Sequence, residues 1–457
     1  MELETLMNKG LEIPRVYLQT KEEVNMKKIL VILLAAFLLI ALIGCGNGDA
    51  PAGQDTATDG GGAGTITVWC WDPAFNIFSM EVAAEIYYGI NPDVVIEIVE
   101  MPWDDIQTQI ITAGTTGNFD VLPDIMLVQD HAFQMNVMNF PDIFADITDS
   151  GIPFNEFAQA KAGMSMVDGR NFGVPFDNGT TILALRTDIL EQVGFTMADF
   201  TDITWDEFLA LGLIVLEQTG MPLVSTTAGG QDYMSVMLQS AGVNLFHEDG
   251  TPNIAGNDVL VEAIETYLAL VQSGVVLEVN NWDEYIGSFV NGEVVGTISG
   301  CWILGSIQTA TDQAGNWGLT NIPRLDVPGG TNYSNWGGSS WAITANANTD
   351  LAVSFLRHTF AGSMELYERI LPAAGALATW APAADSDVYA EPHEFFGGQQ
   401  VFVDIVRFSR NVPSIITGIH YYEALDAMGV AVVEILGGAD ITQALQNAQE
   451  LVEFQIN

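Results

Sequence analysis

From residue 65 onward the spacing of hydrophobic and polar positions switches regularly between two periods. "TITVWCW" (65–71) is a β-branched and aromatic run that reads as a buried strand. "FSMEVAAEIYYGI" (78–90) has helical spacing, closed by Asn91-Pro92, and "DVVIEIVEM" (93–101) is a second strand. "WDDIQTQIITAGTTG" (103–117) predicts a helix with a Gly-rich stop, and "PDIMLVQD" (123–130) a third strand. Strands alternating with helices of this length predict βαβ units and a mostly parallel sheet, an α/β fold.

The pattern continues. "GRNFGVPFDNGTTILALRTDIL" (169–190) gives strand-like runs broken by a polar loop. "TWDEFLALGLIVLEQTG" (204–220) is an amphipathic helix, with Thr204 as N-cap and Glu207 three residues on as its capping box. "FVNGEVVGTISGCWILG" (289–305) reads as helix end, turn, strand and loop. "GSSWAIT" (338–344) is a further strand, and "DLAVSFLRHTFAGSMELYERIL" (350–371) one long helix. No period of 20–50 residues repeats, which excludes a solenoid or propeller.

The N-terminal pattern is different in kind. Lys27 and Lys28 precede an uncharged apolar run, Ile29 to Ile43, followed by small residues. That is the shape of a charged n-region, an h-region and a cleavage zone. The run is short for a permanent span, which needs roughly 20 apolar residues. Leu42-Ile43-Gly44-Cys45 resembles the bacterial lipoprotein signal, in which the cysteine is lipidated and becomes the first mature residue. Residues 1–44 are therefore read as an upstream extension plus signal peptide, with Met26 the better start. The stretch 45–64, rich in Gly, Ala, Asp and Thr, is read as a flexible linker.

Charge narrows the function. The chain carries 58 Asp+Glu against 13 Lys+Arg; without the five acids and five bases of 1–44, 53 remain against 8. Lys161 is the only lysine after residue 44. Such a field repels phosphates and anionic membrane surfaces, so nucleic-acid binding is disfavoured. Cys70 and Cys301 are too few for a disulfide scaffold; they form either one bridge or two buried free thiols, and the free thiols are favoured.

Several stretches, in order, resemble the extracellular solute-binding proteins of ABC importers, the carbohydrate-binding family that includes the maltose-binding protein. They are "TITVWCWDP", "PDIMLVQDHAF", "DGRNFGVPFDNGTTILALRTDIL", "ITWDEFLAL", "FVNGEVVGTISGCWILGS", "GLTNIPRLDVPGG", "GGSSWAIT" and "NVPSIITGIHYYEAL". The resemblance implies two α/β lobes joined by a hinge of crossing strands, with ligand in the cleft between them. The first lobe falls at 65–180 plus 330–385, the second at 181–329 plus 386–457. Closure would be a hinge motion.

A sugar offers apolar C–H faces and a rim of hydroxyls, which call for flat aromatics and planar carboxylates or amides. Candidate contacts lie where strands end in loops. In the first lobe these are Trp71, Asp72, Asp130, His131, Asp177 and Asn178. Tyr233 and Trp302 match positions that contact sugar in the family; Trp336, Trp380 and Tyr421 are weaker candidates. Each has a plainer alternative: a core tryptophan, a turn-capping aspartate or a hydrogen-bonded surface histidine. Gln231 departs from the acidic residue that maltose binders place nearby. Gly337 and Gly338 permit close backbone approach or simply make a turn. Trp103, Trp205 and Trp317 read as core or helix-cap packing, and Trp282 and Tyr285 as rim or helix-face packing.

Signals for catalysis are missing. The mature chain has no Walker loop, no G-x-S-x-G elbow and no H-E-x-x-H pair. The five histidines (131, 247, 358, 393, 420) lack ligand spacing, and "ADSDVYAE" near Asp385 lacks the glycine and terminal acid of a calcium loop. No cofactor, metal or catalytic residue is expected. The leading expectation is a lipid-anchored, extracytoplasmic, monomeric receptor that captures a sugar or oligosaccharide and hands it to an ABC permease. The alternatives are a binding protein for a polyamine or other cation, and a surface carbohydrate-active enzyme. The acidity fits a saline habitat or acidic drift of the surface. The saline reading predicts that thermal melts shift upward in molar salt, as screening relieves self-repulsion; a melting point indifferent to salt would count against it.

Overall fold

The alternating stretches become strands and helices at the positions their patterns assign. The computed structural model describes residues 63–456 apart from 248, 414 and 416–419. The expected signal segment, Cys45 and the expected linker up to residue 62 lie outside the described residues. The strands are β1 (Gly64–Cys70), β2 (Val94–Glu100), β3 (Ile125–Gln129), β4 (Met166–Val167), β5 (Arg170–Asn171) and β6 (Gly173–Pro175), then β7 (Thr181–Arg186), β8 (Val224–Thr227), β9 (Val276–Val279), β10 (Gly296–Gly300), β11 (Trp317–Thr320) and β12 (Ser339–Ile343). Apart from the small β4–β5 hairpin they form two five-stranded sheets, ordered β2-β1-β3-β12-β6 and β11-β7-β10-β8-β9. Helices flank both, giving two sheet-containing lobes.

Each sheet is parallel except for one reversed strand. In the first sheet β12 runs antiparallel to β3 and to β6. In the second, β7 runs antiparallel to β10 and β11. Both reversed strands directly follow a crossing between the lobes: β7 follows β6 through residues 176–180, and β12 follows β11 through residues 321–338. The mostly parallel expectation is right for each set of βαβ units; the exception is the strand that the crossing itself supplies.

The two crossings pair with each other. Thr180 bridges Asn335 in antiparallel fashion. The Thr181 N–H donates to Ser334 O at 2.9 Å, and the Trp336 N–H to Gly179 O at 2.7 Å. A Cβ on Gly179 would stand 1.8 Å from Trp336 O, so this close pairing requires glycine.

Large apolar side chains fill the space between sheets and helices. Trp341 of β12 is fully buried, with Phe176 and Phe360 ring centroids each 5.3 Å away. Trp205, Phe208, Tyr233 and Tyr267 fill the second lobe. A third cluster joins Ile182, Cys301 and Trp317 to Leu371 and Leu377 beside the crossings. Cys70 and Cys301 are both free and buried. Among the described residues no helix is long and apolar enough to cross a membrane.

One expected element divides. The stretch 350–371 forms two helices, Thr349–His358 and Met364–Ala374. Thr359 leaves helical geometry at φ −115°, ψ −89°, and Ser363 caps the second helix by accepting from Leu366 N at 3.1 Å. A serine that can bond the backbone ahead of it offers an alternative to helix continuation, and Gly362 before it lowers the cost of the break.

The Thr204 capping box forms as its residue spacing specifies. Glu207 N–H donates to Thr204 Oγ1 at 3.2 Å, and Thr204 N–H donates to Glu207 Oε2 at 2.8 Å. Thr204→Ala removes the hydroxyl that accepts in this exchange and is expected to cost about 1 kcal/mol in urea unfolding; an unchanged midpoint would show the cap to be redundant with the packing of Trp205.

Candidate functional site

Strand direction decides where the site lies. β6 and β11 each lead straight into a crossing, so their carboxyl ends point at the junction between the lobes. β1 and β3 run parallel to β6, and β8 and β10 parallel to β11. The loops that leave these strands therefore converge on one cleft, the position where open α/β sheets bind ligands. From the first lobe come Trp71 and Asp72 after β1, Trp103 after β2, and Asp130 and His131 after β3. From the second come Asp232 after β8, Trp282 after β9 and Trp302 after β10.

Aromatic side chains mark the cleft in two groups. Trp71 meets Trp103 edge-on at 5.6 Å, and Trp103 lies 6.5 Å from Tyr422. Tyr422 bonds through its hydroxyl to Gln129 Oε1, and the Tyr421 ring lies 4.6 Å from that of His131. Tyr421 and Tyr422 open the helix Tyr421–Leu436, which packs into the second lobe's core, so these contacts join the lobes. On the other side Trp302 packs 5.6 Å from Trp282, and its Nε1–H donates to Trp336 O at 3.0 Å. Trp282 keeps 39 % of its surface exposed.

Most of the acidic candidates serve the protein itself. Asp72 accepts the Ala74 N–H at 2.9 Å and caps the turn that follows; burial pushes its carboxyl up to about 6. Asp130 is ion-paired with Lys161 through Oδ2, and its Oδ1 accepts from Ser340 Oγ at 3.0 Å. The Lys161 ammonium also donates to Ser339 O at 2.8 Å. Asp177 accepts from Ser339 Oγ and is only 2 % exposed; burial raises its carboxyl to about 6 against the lowering field of Lys161. Gly338, at φ 111°, passes so close that a Cβ there would sit 2.7 Å from Asp130 Oδ2. His131 is held below its ordinary value by burial, and its Nδ1 has no partner among the described residues.

The remaining candidates separate by position. Asn178 is exposed on the first crossing, its carbonyl accepting from Cys301 Sγ at 3.2 Å. Trp336 is half-buried on the second crossing. Tyr421 is buried, its hydroxyl donating to Ser235 Oγ at 2.7 Å, with its ring against His131. Tyr233, expected at the ligand, is instead 2 % exposed inside the second lobe, 5.7 Å from Trp205 and 6.0 Å from Tyr267. Trp380 packs against Tyr367 at 6.4 Å and donates to Glu156 Oε2 at 2.8 Å, within the first lobe. Trp205 and Trp317 are core, as their patterns indicate, and Tyr285 is core as well. Trp103, read as packing, and Tyr422 and Asp232, not singled out, are brought to the cleft. Trp103 and Asp232 follow parallel strands, and that rule applied to every strand would have found both.

Comparison with known proteins places this arrangement among relatives. The model for bacterial extracellular solute-binding protein matches residues 83–397. A lactose-binding protein of Rhizobium radiobacter is 36% identical over 395 residues, 86% of this chain and 93% of that one. The fold is similar to the GacH receptor of Streptomyces glaucescens, solved unliganded and with acarbose (TM-score 0.71, 17% identity, 86% of this chain and 99% of that one). It is equally similar to a transporter-associated binding protein of B. animalis subsp. lactis bound to β-1,6-galactobiose (TM-score 0.71, 17% identity, 86% and 97% covered).

The buried carboxyls set a pH dependence. Asp72, Asp177 and Asp232 stand near 6 in the folded chain against an ordinary 3.8. The native state thus keeps protons that the unfolded chain releases, and stability falls as pH rises from about 4 through about 6. Melting temperature should drop across that window, and Asp177→Asn should flatten the slope while keeping an acceptor for Ser339. A D177N variant with the wild-type slope would assign the effect elsewhere.

Proposed function

The chain belongs to the bacterial extracellular solute-binding protein family, and from that premise we propose that it captures a sugar or oligosaccharide between its lobes and delivers it to an ABC permease. The observation that carries the reading is the pair of aromatic groups, Trp71–Trp103 and Trp282–Trp302, set at the converging carboxyl edges of the two sheets. Flat rings bury the C–H faces of a pyranose, and the polar groups around them satisfy its hydroxyls. Relatives named for lactose, arabinooligosaccharide and maltodextrin binding support the class of ligand.

The proposed contacts are Trp71, Trp103, His131, Asn178, Trp282, Trp302 and Trp336, with Tyr422 closing the cleft. Asp72, Asp130 and Asp177 take part as the framework that holds these loops. The family is extracytoplasmic; Cys45 is proposed as the lipid anchor that keeps a monomeric receptor at the membrane. The protein performs no chemistry in this reading, and a separate ATPase supplies the energy.

Ligand that binds the native state alone stabilises it by RT ln(1 + [L]/Kd), about 2.7 kcal/mol at a hundredfold excess over Kd. A thermal-shift panel of lactose, maltose, galactobiose and arabinooligosaccharides is expected to raise the melting temperature with at least one sugar. Trp302→Ala should weaken that binding by about tenfold or more, the scale of losing one stacked ring. Silence across the sugars with a response to polyamines would replace the sugar by a cation, and product formation from oligosaccharide would replace binding by catalysis.

A further inference from the structure

Two sets of contacts join the lobes beyond the crossings, and they stand on opposite faces of the first sheet. Side chains alternate along β1, so Ile66, Val68 and Cys70 enter one apolar cluster while Trp69 packs against another. On the face of Ile66 and Val68 lie the helical turn Pro73–Ile77, which leaves β1, and the helix Met364–Ala374. The helix Leu304–Gln308 of the second lobe, which follows Trp302, packs on both. A Cβ on Gly305 would stand 2.5 Å from Ala74 O and 3.4 Å from Ala374 Cα. Gln308 Nε2–H donates to Ala373 O at 3.0 Å, and Leu304 and Ile307 share an apolar cluster with Leu371.

On the face of Trp69 lie the helices Trp103–Thr116 and Asp130–Asn139. There the second lobe supplies Tyr421, its ring 4.6 Å from His131, and Tyr422, bonded to Gln129 and 6.5 Å from Trp103. The paired crossings close the back, where Trp302 Nε1–H rests on Trp336 O. The slit between the sheets is thus bounded at its back and at both ends.

We propose that this cleft takes short sugars of one or two rings and excludes longer chains, and that Tyr422 sets the limit. The inference rests on the sugar-binding reading above and names the ligand class within it. The lobes bring one aromatic pair each, Trp71–Trp103 and Trp282–Trp302, enough to stack one or two rings. A longer chain laid along the slit has to leave through one of its ends. The end at Gly305 is backbone against backbone within close-packed apolar surface, which does not yield to an added ring. The end at Tyr422 is held by side chains alone, so a single substitution opens it. A wall that clashes with the unwanted ligand gives specificity without any added attraction for the wanted one.

The test uses the full chain and isothermal calorimetry with lactose, galactobiose and maltose against galactotetraose and maltotetraose. One surplus methylene in a pocket that does not fit it costs about tenfold or more. The wild-type protein is therefore expected to bind at least one disaccharide about a hundredfold more tightly than the matching tetrasaccharide. Tyr422→Ala should bring that gap below about tenfold, chiefly through tighter binding of the tetrasaccharide. A merely structural role would weaken short and long sugars alike and leave the gap as it was. Should Tyr422→Ala fail to fold by circular dichroism, Gln129→Ala takes away the acceptor that holds Tyr422 across the slit and is read in the same way. A tetrasaccharide bound as tightly as the disaccharide by the wild type, or an unchanged gap in the variants, overturns the proposal while the sugar reading stands. No binding of any sugar overturns both.

Discussion

Each lobe finishes its sheet with a strand that the other lobe's chain delivers, and the pairing of the two delivering segments is the constraint on which the molecule depends. β7 enters the second sheet from the first lobe, and β12 enters the first sheet from the second. Their approaches pair through Thr180 and Asn335, with Gly179 against Trp336 O. Hinge, sheet core and cleft wall are therefore the same residues. A shift of register in the crossing would displace Trp336 and Gly338 and unseat Trp302, whose Nε1–H rests on Trp336 O.

That junction is acidic, and a single ammonium makes it tenable. Lys161 reaches Asp130 at the end of β3 and the Ser339 carbonyl at the start of β12, with Ser340 completing the Asp130 bonds. The pair is nearly closed to water, with side chains 10% and 6% exposed. Attraction in such a place competes with desolvation, so the pair is weak evidence for net stability. Breaking it is another matter, since a lone charge left in the interior costs about 3–5 kcal/mol. The pair is best understood as fixing register: it locks two adjacent strands of the first sheet at the point where the cleft begins. In a chain with net charge −45, placing the sole lysine after residue 44 here leaves the cleft without an ammonium to offer a ligand.

Much of the fold was legible because hydrophobic period and turn chemistry agree along the chain. β1 to β3, the helix Trp205–Thr219 and its Thr204 cap all follow from local pattern. What local pattern misses is set by partners distant in sequence. The reversed strands cannot be recognised from "TILALR" or "SSWAI", because orientation depends on the crossing that precedes them. The site was half legible for the same reason. The strand-end rule finds Trp71, Asp130 and Trp302, yet says nothing of which way a side chain turns. Asp72 and Asp130 turn back to cap and pair, while Asp232 has no hydrogen-bond partner among the described residues. Tyr233 and Asp232 are neighbours on one helix, and helical geometry sends one to the core when the other faces out. Tyr422 is placed by tertiary packing of the helix Tyr421–Leu436, which no strand precedes.

Among the described residues, contacts joining the lobes at the cleft include the His131–Tyr421 rings, the Tyr422–Gln129 hydrogen bond and the Trp103–Tyr422 approach. A ligand changes an open–closed equilibrium only by the difference in its affinity for the two states. A sugar stacked on Trp71 alone would bind both states equally and move nothing. One that reaches from Trp71 to Trp302 gains its second stacking contact when both lobes flank it. In the proposed reading, ligand length and the separation of the two aromatic groups therefore govern closure.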